Sequence, residues 1–323
     1  MILKMLTHIS RVLVGLLFIY SGFVKLVDPI GSQYKFEEYF SAGVLNLEFL
    51  IPFALPFSIL LIVTELVLGI MLLVGYKPKL TVWSLFGLNL VFLFLTWYSY
   101  TYNKVTDCGC FGDALKLTPK ETFYKNVVFM IFIVILILGV KHIKPLISNK
   151  FSSITTFSSV FLALIISYYV LQHLPIIDFR AYSIGTDIAK GMEYPEDSDE
   201  LPPIHDFMIE TDEGDKLEEM LAKEKAMLII MSNFKKTEKE GITDVSEVAK
   251  QASEQGYEIY VLTASYIEDL AATQKEYGLP YTFGFCDETA LKTVIRANPG
   301  IVTVKNGVIV GKWNWTDADD VEL

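Results

Sequence analysis

The sequence predicts an α-helical membrane bundle followed by a water-soluble α/β domain. Three observations predict it: five long apolar runs in the first 174 residues, a reversal of charge at the end of those runs, and a rhythm of short strands and helices after residue 204. The chain has 323 residues, of which 52% are hydrophobic. That length allows about two domains.

The apolar runs come first. A hydrocarbon core of about 30 Å needs roughly 20 apolar residues in a helix. The segments 9–27, 51–76, 80–100, 123–140 and 154–174 meet that length. One such match could be a buried helix of a soluble protein; five in succession predict a polytopic membrane protein with the lipid bilayer as its first partner. Short loops rich in Lys and Arg stay cytoplasmic. Lys4 and Arg11, then Lys77 and Lys79, then Lys141, Lys144 and Lys150 fall in alternate connections. The amino terminus is therefore expected inside, with the loop 28–50, the loop around residue 110 and everything after about 175 outside. Ser21 and Gly22 also fit a signal-peptide cleavage site, but this alternation uses the first segment as a retained span.

The charge reversal comes next. Residues 1–174 hold thirteen Lys and Arg against eight Asp and Glu, whereas residues 175–323 hold fourteen against thirty. The acidic half has no basic stripe to release counterions from nucleic acid, which excludes that partner class. The block 193–200, EYPEDSDE, reads as a solvated linker.

The last part reads as α/β. AMLIIMS (226–232) is a continuous apolar run, as a buried parallel strand should be. Strands are expected at HDFMIE, YEIYVLTA and YTFGFC, with helices at KLEEMLAKE, TDVSEVAKQASEQG, SYIEDLAATQKEYG and DETALKTVIRA. IVTVKNGVIVGKWNW reads as two strands joined at Asn306–Gly307, a strong hairpin signal. Strand–helix alternation ending in a hairpin implies a mixed sheet.

Candidate chemistry lies in two places. Ionisable groups inside a span are costly and mark function, and Glu65 lies near the middle of the second span. Arg11 and Lys25 bracket the first span near opposite interfaces, where each can snorkel to water. The second place is TDCGCFGD (106–113), which holds Cys108 and Cys110, two of only three cysteines. Three readings of this pair stay open: a tight structural loop or disulfide, a redox pair, and a metal site. The last has only two soft ligands and no His nearby. A disulfide across a single Gly109 would be strained, and strained disulfides are the more easily reduced. Trp97, Tyr98, Tyr102 and Phe111 lie nearby and could line a quinone site, although an interfacial aromatic belt predicts the same residues. No phosphate-cradling glycine motif is present.

The spacing R-x3-G-x2-F-x2-SG-x2-K in RVLVGLLFIYSGFVKLV, with Glu65 in the second span and CGCFGD before the fourth, resembles the DoxX and MauE membrane families over roughly residues 5–142. The lengths and order of the downstream elements resemble a thioredoxin fold of the TlpA-like periplasmic type. The resemblance implies four spans in residues 1–145, a fifth span in 146–175, a linker over 176–203 and a thioredoxin-like domain in 204–323. It also implies a bacterial inner-membrane location with a periplasmic domain, a cis peptide before Pro299, and roles for Arg11, Lys25 and Glu65 in the site. DoxX relatives are linked to quinone-coupled sulfur oxidation, and MauE to disulfide formation in a periplasmic enzyme. The expected function is thus thiol–disulfide exchange or quinone-linked electron transfer through Cys108 and Cys110. The alternative is a non-catalytic membrane subunit whose outer domain, residues 204–323, binds another envelope protein. One departure from the thioredoxin pattern favours the alternative. The segment after the first core strand, MSNFKKTEKEG (231–241), has no cysteine; Cys286 is the one thiol left to that domain, expected as a buried, inert cysteine, with a third, resolving thiol as the alternative.

Overall fold

The computed structural model describes residues 1–105, 109–115, 117–194, 201–267 and 270–323, without the side chains of residues 235, 270 and 271. Cys108 and most of the acidic block 193–200 lie outside the described residues. The chain divides into two compact units, Met1–Leu171 and Gln172–Leu323.

The first unit contains the five helices long and apolar enough to cross a membrane. They are α1 (Ile2–Val27), α3 (Ala54–Val74), α4 (Pro78–Tyr102), α5 (Pro119–Leu138) and α6 (Asn149–Gln172). A sixth helix, α2 (Pro29–Phe40), fills much of the loop between the first two spans. Its PIGSQYKFEEYF sequence mixes charge and aromatics, so it carries no span signal. It starts where Asp28 accepts a hydrogen bond from the Gly31 amide and Pro29 occupies the first turn, a position that tolerates the missing N–H. The start of α5 is fixed by a capping box between Thr118 and Glu121, with Pro119 following the cap, and this satisfies amides that the helix cannot.

The closest helix pair is α1 against α3, and small residues permit it. A Cβ on Gly22 would lie 2.9 Å from the Leu66 amide nitrogen, and one on Gly69 would lie 2.9 Å from the Gly15 carbonyl oxygen. Membrane helices approach this closely where glycine removes the side chain. The motif residues Arg11, Gly15, Phe18, Ser21, Gly22 and Lys25 are all buried. Their three- and four-residue spacing places them on one face of α1, so the sequence motif is the stripe that faces α3.

The second unit is a mixed seven-stranded sheet in the order β2-β1-β5-β4-β3-β6-β7. The strands are β1 (Glu210–Thr211), β2 (Gly214–Asp215), β3 (Lys225–Ile230), β4 (Glu258–Thr263), β5 (Thr282–Phe285), β6 (Gly300–Lys305) and β7 (Val308–Asn314). The core strands β3, β4 and β5 are parallel, and β6 and β7 form the antiparallel hairpin. The HDFMIE strand is shorter than expected: only its last residue lies in β1. Helices α7 (Ile188–Gly191), α8 (Leu217–Leu221) and α11 (Glu288–Val294) pack into one apolar cluster, centred on Leu228, Ile230 and Val302. Helix α9 (Lys239–Glu254) packs into the other, centred on Met227, Ile229 and Ile301. Helix α10 (Leu270–Tyr277) connects β4 to β5. Both faces of β3 are covered, which explains its unbroken apolar run.

Candidate functional site

The site begins with two charges that sequence separates by forty residues. Lys25 on α1 and Glu65 on α3 form an ion pair, with Nζ 2.9 Å from Oε2, and their side chains are 5% and 1% exposed. The expectation that Lys25 snorkels to water is therefore corrected: the α1–α3 contact points it inward. An ammonium has three donor hydrogens, and here its three shortest hydrogen bonds go to three different groups. Besides Glu65, Lys25 Nζ donates to Ser21 Oγ at 2.6 Å and to the Cys110 carbonyl at 2.7 Å. Ser21 Oγ in turn donates to the same carbonyl at 2.8 Å. Ser21 and Lys25 reach it together because an i, i+4 pair shares one helix face. A buried pair is tolerated when good geometry and further hydrogen bonds satisfy it.

The Cys-Gly-Cys loop is thereby fastened to α1 through the backbone of Cys110. Gly109 has φ +63°, and a Cβ there would come 2.8 Å from Lys35 Cγ on α2. Both the backbone conformation and the space select glycine. Cys110 is half-buried, and among the described residues neither Cys110 nor Cys286 is in a disulfide. Phe111 is buried, packing its ring against Tyr20 at 5.6 Å with Lys125 Nζ 4.3 Å above it.

Beside the ion pair lies a cavity of about 120 Å³ with mostly apolar walls, whose lining includes Lys25, Cys110, Phe36, Tyr39, Phe92 and Thr96. An apolar cavity of about 150 Å³ can hold a benzene ring, so this one has the scale of a single small ring. Trp97 and Phe111 do not line it. Trp97 is exposed on the outside of α4, with Tyr100 and Tyr102, as an interfacial belt would be. The aromatics of the cavity are instead Phe36 and Tyr39 of α2 and Phe92 of α4. Phe36 and Tyr39 carry no sequence signal because the stretch 28–50 reads as a loop, and Phe92 is one of many apolar residues of its span. Tyr39 is held by a 3.2 Å hydrogen bond between its hydroxyl and that of Ser99.

Arg11 is not part of this constellation. It lies fourteen residues from Lys25 on α1, or about 21 Å at 1.5 Å per residue. It is buried rather than snorkelling, and its guanidinium donates to the carbonyls of Leu72, Leu73 and Lys144 at 2.9, 2.8 and 3.1 Å. Those of Leu72 and Leu73 belong to the last turn of α3, whose carbonyls lack helical partners. Arg11 therefore caps α3.

The second unit holds the remaining candidates. The Asn298–Pro299 peptide is cis. Asn298 donates to the Asn233 carbonyl at 3.0 Å, which ties this turn to the segment after β3. Cys286 follows β5 and is fully buried, and burial pushes its thiol up to about 11. The nucleophile of exchange is the thiolate, so Cys286 is inert near neutral pH. Among the described residues, no group of three or more His, Cys, Asp or Glu could hold a metal ion.

No curated protein and no solved structure matches the chain. The family profile of Methylamine utilisation protein MauE matches residues 3–139, the stretch that contains α1 to α5, the Lys25–Glu65 pair and the loop bearing Cys110.

Proposed function

We propose that the protein is an inner-membrane redox accessory protein that accepts electrons from the thiols of an envelope protein through Cys108 and Cys110. One observation carries the reading. The loop bearing Cys110 is held by Lys25 and Ser21 at a ring-sized apolar cavity that Cys110 and Lys25, the cation of the buried pair, both line. In this reading a client dithiol loses two electrons and two protons and becomes a disulfide, while a Cys108–Cys110 disulfide becomes two thiols. A quinone whose head group enters the cavity then takes the two electrons and two protons and leaves as quinol. Lys25 and Glu65 are the groups placed to move those protons. The alternation of basic connections supports a cytoplasmic amino terminus, with this loop and the second unit in the periplasm.

A thioredoxin-like reading of the second unit is supported by the order β4-β3-β6-β7, with β3 and β4 parallel and the hairpin antiparallel. The cis peptide preceding β6 agrees with it. Its role in this reading is to hold the partner. The segment that would carry its own redox pair has no cysteine, and Cys286 is buried. That same observation favours the second reading, a subunit that binds an envelope protein and performs no redox chemistry.

Differential alkylation of intact cells, read by mass spectrometry, separates the two. Redox chemistry predicts a mixed oxidation state for Cys108 and Cys110 and a rise of free thiols in at least one envelope protein when both are serine. Unchanged envelope thiols would leave the binding subunit. A reporter at the carboxyl terminus that proved cytosolic would remove the redox reading altogether.

A further inference from the structure

The two edges of the sheet in the second unit are finished differently. The β7 edge is covered by the chain that precedes α7. Gly185 and Ile188 donate to the Ile309 and Gly307 carbonyls at 2.8 and 2.9 Å, and Ile309 donates back to Thr186 at 2.9 Å. At the opposite end only the two-residue strands β1 and β2 lie beyond β5, and β5 pairs with β1 only at Glu210 against Phe285. Among the described residues, Thr282 and Phe283 have no strand paired to them on that side. Strand β4 also starts two residues ahead of β5, so Glu258 and Ile259 lie beyond its reach. Exposed edges of this kind accept another strand, and proteins that do not use them block them.

A groove of about 1100 Å³ follows this open edge, with β4 and β5 along its floor. Its lining includes five carboxylates, Glu210, Asp212, Glu213, Glu219 and Glu258, against one ammonium, Lys216. Lys216 bridges Glu213 and Glu219 at 2.8 and 3.3 Å, and Lys223 adds contacts to Glu219 and Glu258 at 3.4 and 3.8 Å. The acids still outnumber the bases. Tyr260 also lines the groove. It is 2% exposed, and among the described residues its buried hydroxyl has no hydrogen-bond partner. After burial, the charges of Glu219 and Glu258 also favour its protonated form, against that of Lys216. Burial holds it protonated, pushed up to about 12, so it remains a donor.

We propose that this groove binds an extended, cationic segment of a partner protein, added as a strand along the free edge of β5. The inference rests on the reading that the second unit holds a protein partner, and it supplies that partner's chemistry. Backbone pairing with β5 would give affinity, and the acidic wall would select Lys- or Arg-bearing sequences, the usual division of labour in strand addition. It does not depend on Cys108, Cys110 or a quinone.

The test uses the full chain in non-ionic detergent and a fluorescent decapeptide of alternating Lys and Val. Three further measurements accompany it: the same peptide N-methylated at alternate residues, a peptide with Glu in place of Lys, and the variant Glu210→Lys/Asp212→Lys, whose two sites are exposed. Binding of the first peptide is expected, weakened about tenfold or more by N-methylation, by the charge swap and by the variant. No binding of the first peptide would overturn the proposal. Equal binding of the methylated peptide would reduce it to electrostatic adsorption, and equal binding by the variant would put the peptide elsewhere. Any of these failures leaves the alkylation result for Cys108 and Cys110 unaffected, so the two readings fail separately.

Discussion

Each unit buries a lysine beside a carboxylate, but the two clusters are built to different ends. In the helix bundle, one cation meets one anion, and the third hydrogen of Lys25 reaches a loop carbonyl that belongs to the cysteine motif. In the sheet unit, Lys312 and Arg180 share a single anion, Asp178, at 2.6 Å each. Lys312 also donates to the Tyr182 carbonyl at 3.0 Å, and Arg180 Nη1 is buried with no partner among the described residues. The second cluster fastens the segment 178–182 to β7 with a surplus of positive charge. The first is charge-balanced and adjoins a cavity. A balanced pair whose spare donor holds a reactive loop can couple charge to that loop, whereas a surplus held among backbone groups is a fastening.

The largest expected effect breaks the balanced pair. Lys25→Ala strands the Glu65 carboxylate among apolar helices, and removing one partner of a buried pair costs about 3–5 kcal/mol. Replacing both, as Lys25→Met with Glu65→Leu, should cost far less, because an apolar pair of similar volume restores packing. Thermal unfolding in detergent measures the cycle. The double variant should also free the Cys110 loop, seen as faster alkylation of Cys110 than in the parent. A double variant as unstable as the single, with unchanged alkylation, would show that the pair neither balances charge nor holds the loop.

The next effect is smaller because the cluster in the sheet unit is less enclosed. Asp178→Asn leaves Lys312 and Arg180 as two buried cations without an anion, and the Asp178 side chain is 17% exposed. A cost of about 2–3 kcal/mol is expected, below the value for a fully enclosed pair. Urea unfolding followed by pulsed hydrogen exchange in β3 and β6 reads it. A loss as large as that of Lys25→Ala would mean that the two clusters are energetically alike.

Much of this comparison was legible in the sequence, and the missing parts share a cause. The five spans follow from length and apolarity, and the hairpin from Asn306–Gly307. Glu65 stood out because a carboxylate inside a span needs a reason. What sequence could not supply was pairing across elements. Lys25 and Arg11 each read as interfacial, because their separation from Glu65 and from Leu72 is bridged only by the α1–α3 crossing. The signal was present in the three- and four-residue spacing of Gly15, Phe18, Gly22 and Lys25, which marks one buried face. Helix α2, and with it Phe36 and Tyr39, was missed because its pattern is neither a span nor a clear amphipathic helix. Cys286 reads from the sequence as the end of a parallel strand and as a buried thiol, and it follows β5 fully buried.

The smallest expected effect sharpens the difference between the clusters through pH. Burial, then the charge of Arg180, pulls the Lys312 ammonium down to about 8, against the opposing charge of Asp178. In the unfolded chain lysine releases its proton near about 10.4. Between those values the unfolded state holds more protons, so the Lys312 contribution makes stability rise with pH. The slope is at most ~1.4 kcal/mol per pH unit. Cys286 and Tyr260 act in the opposite sense at the upper end, because their folded values are raised to about 11 and about 12. Comparing the parent with Lys312→Met cancels those contributions. The stability of the parent relative to the variant should climb between about pH 8 and 10.5, read by the same urea and exchange measurement. Parallel curves would mean that Lys312 keeps its charge as comfortably as a surface lysine, and the surplus in this cluster would then carry no strain to contrast with the balanced pair of the bundle.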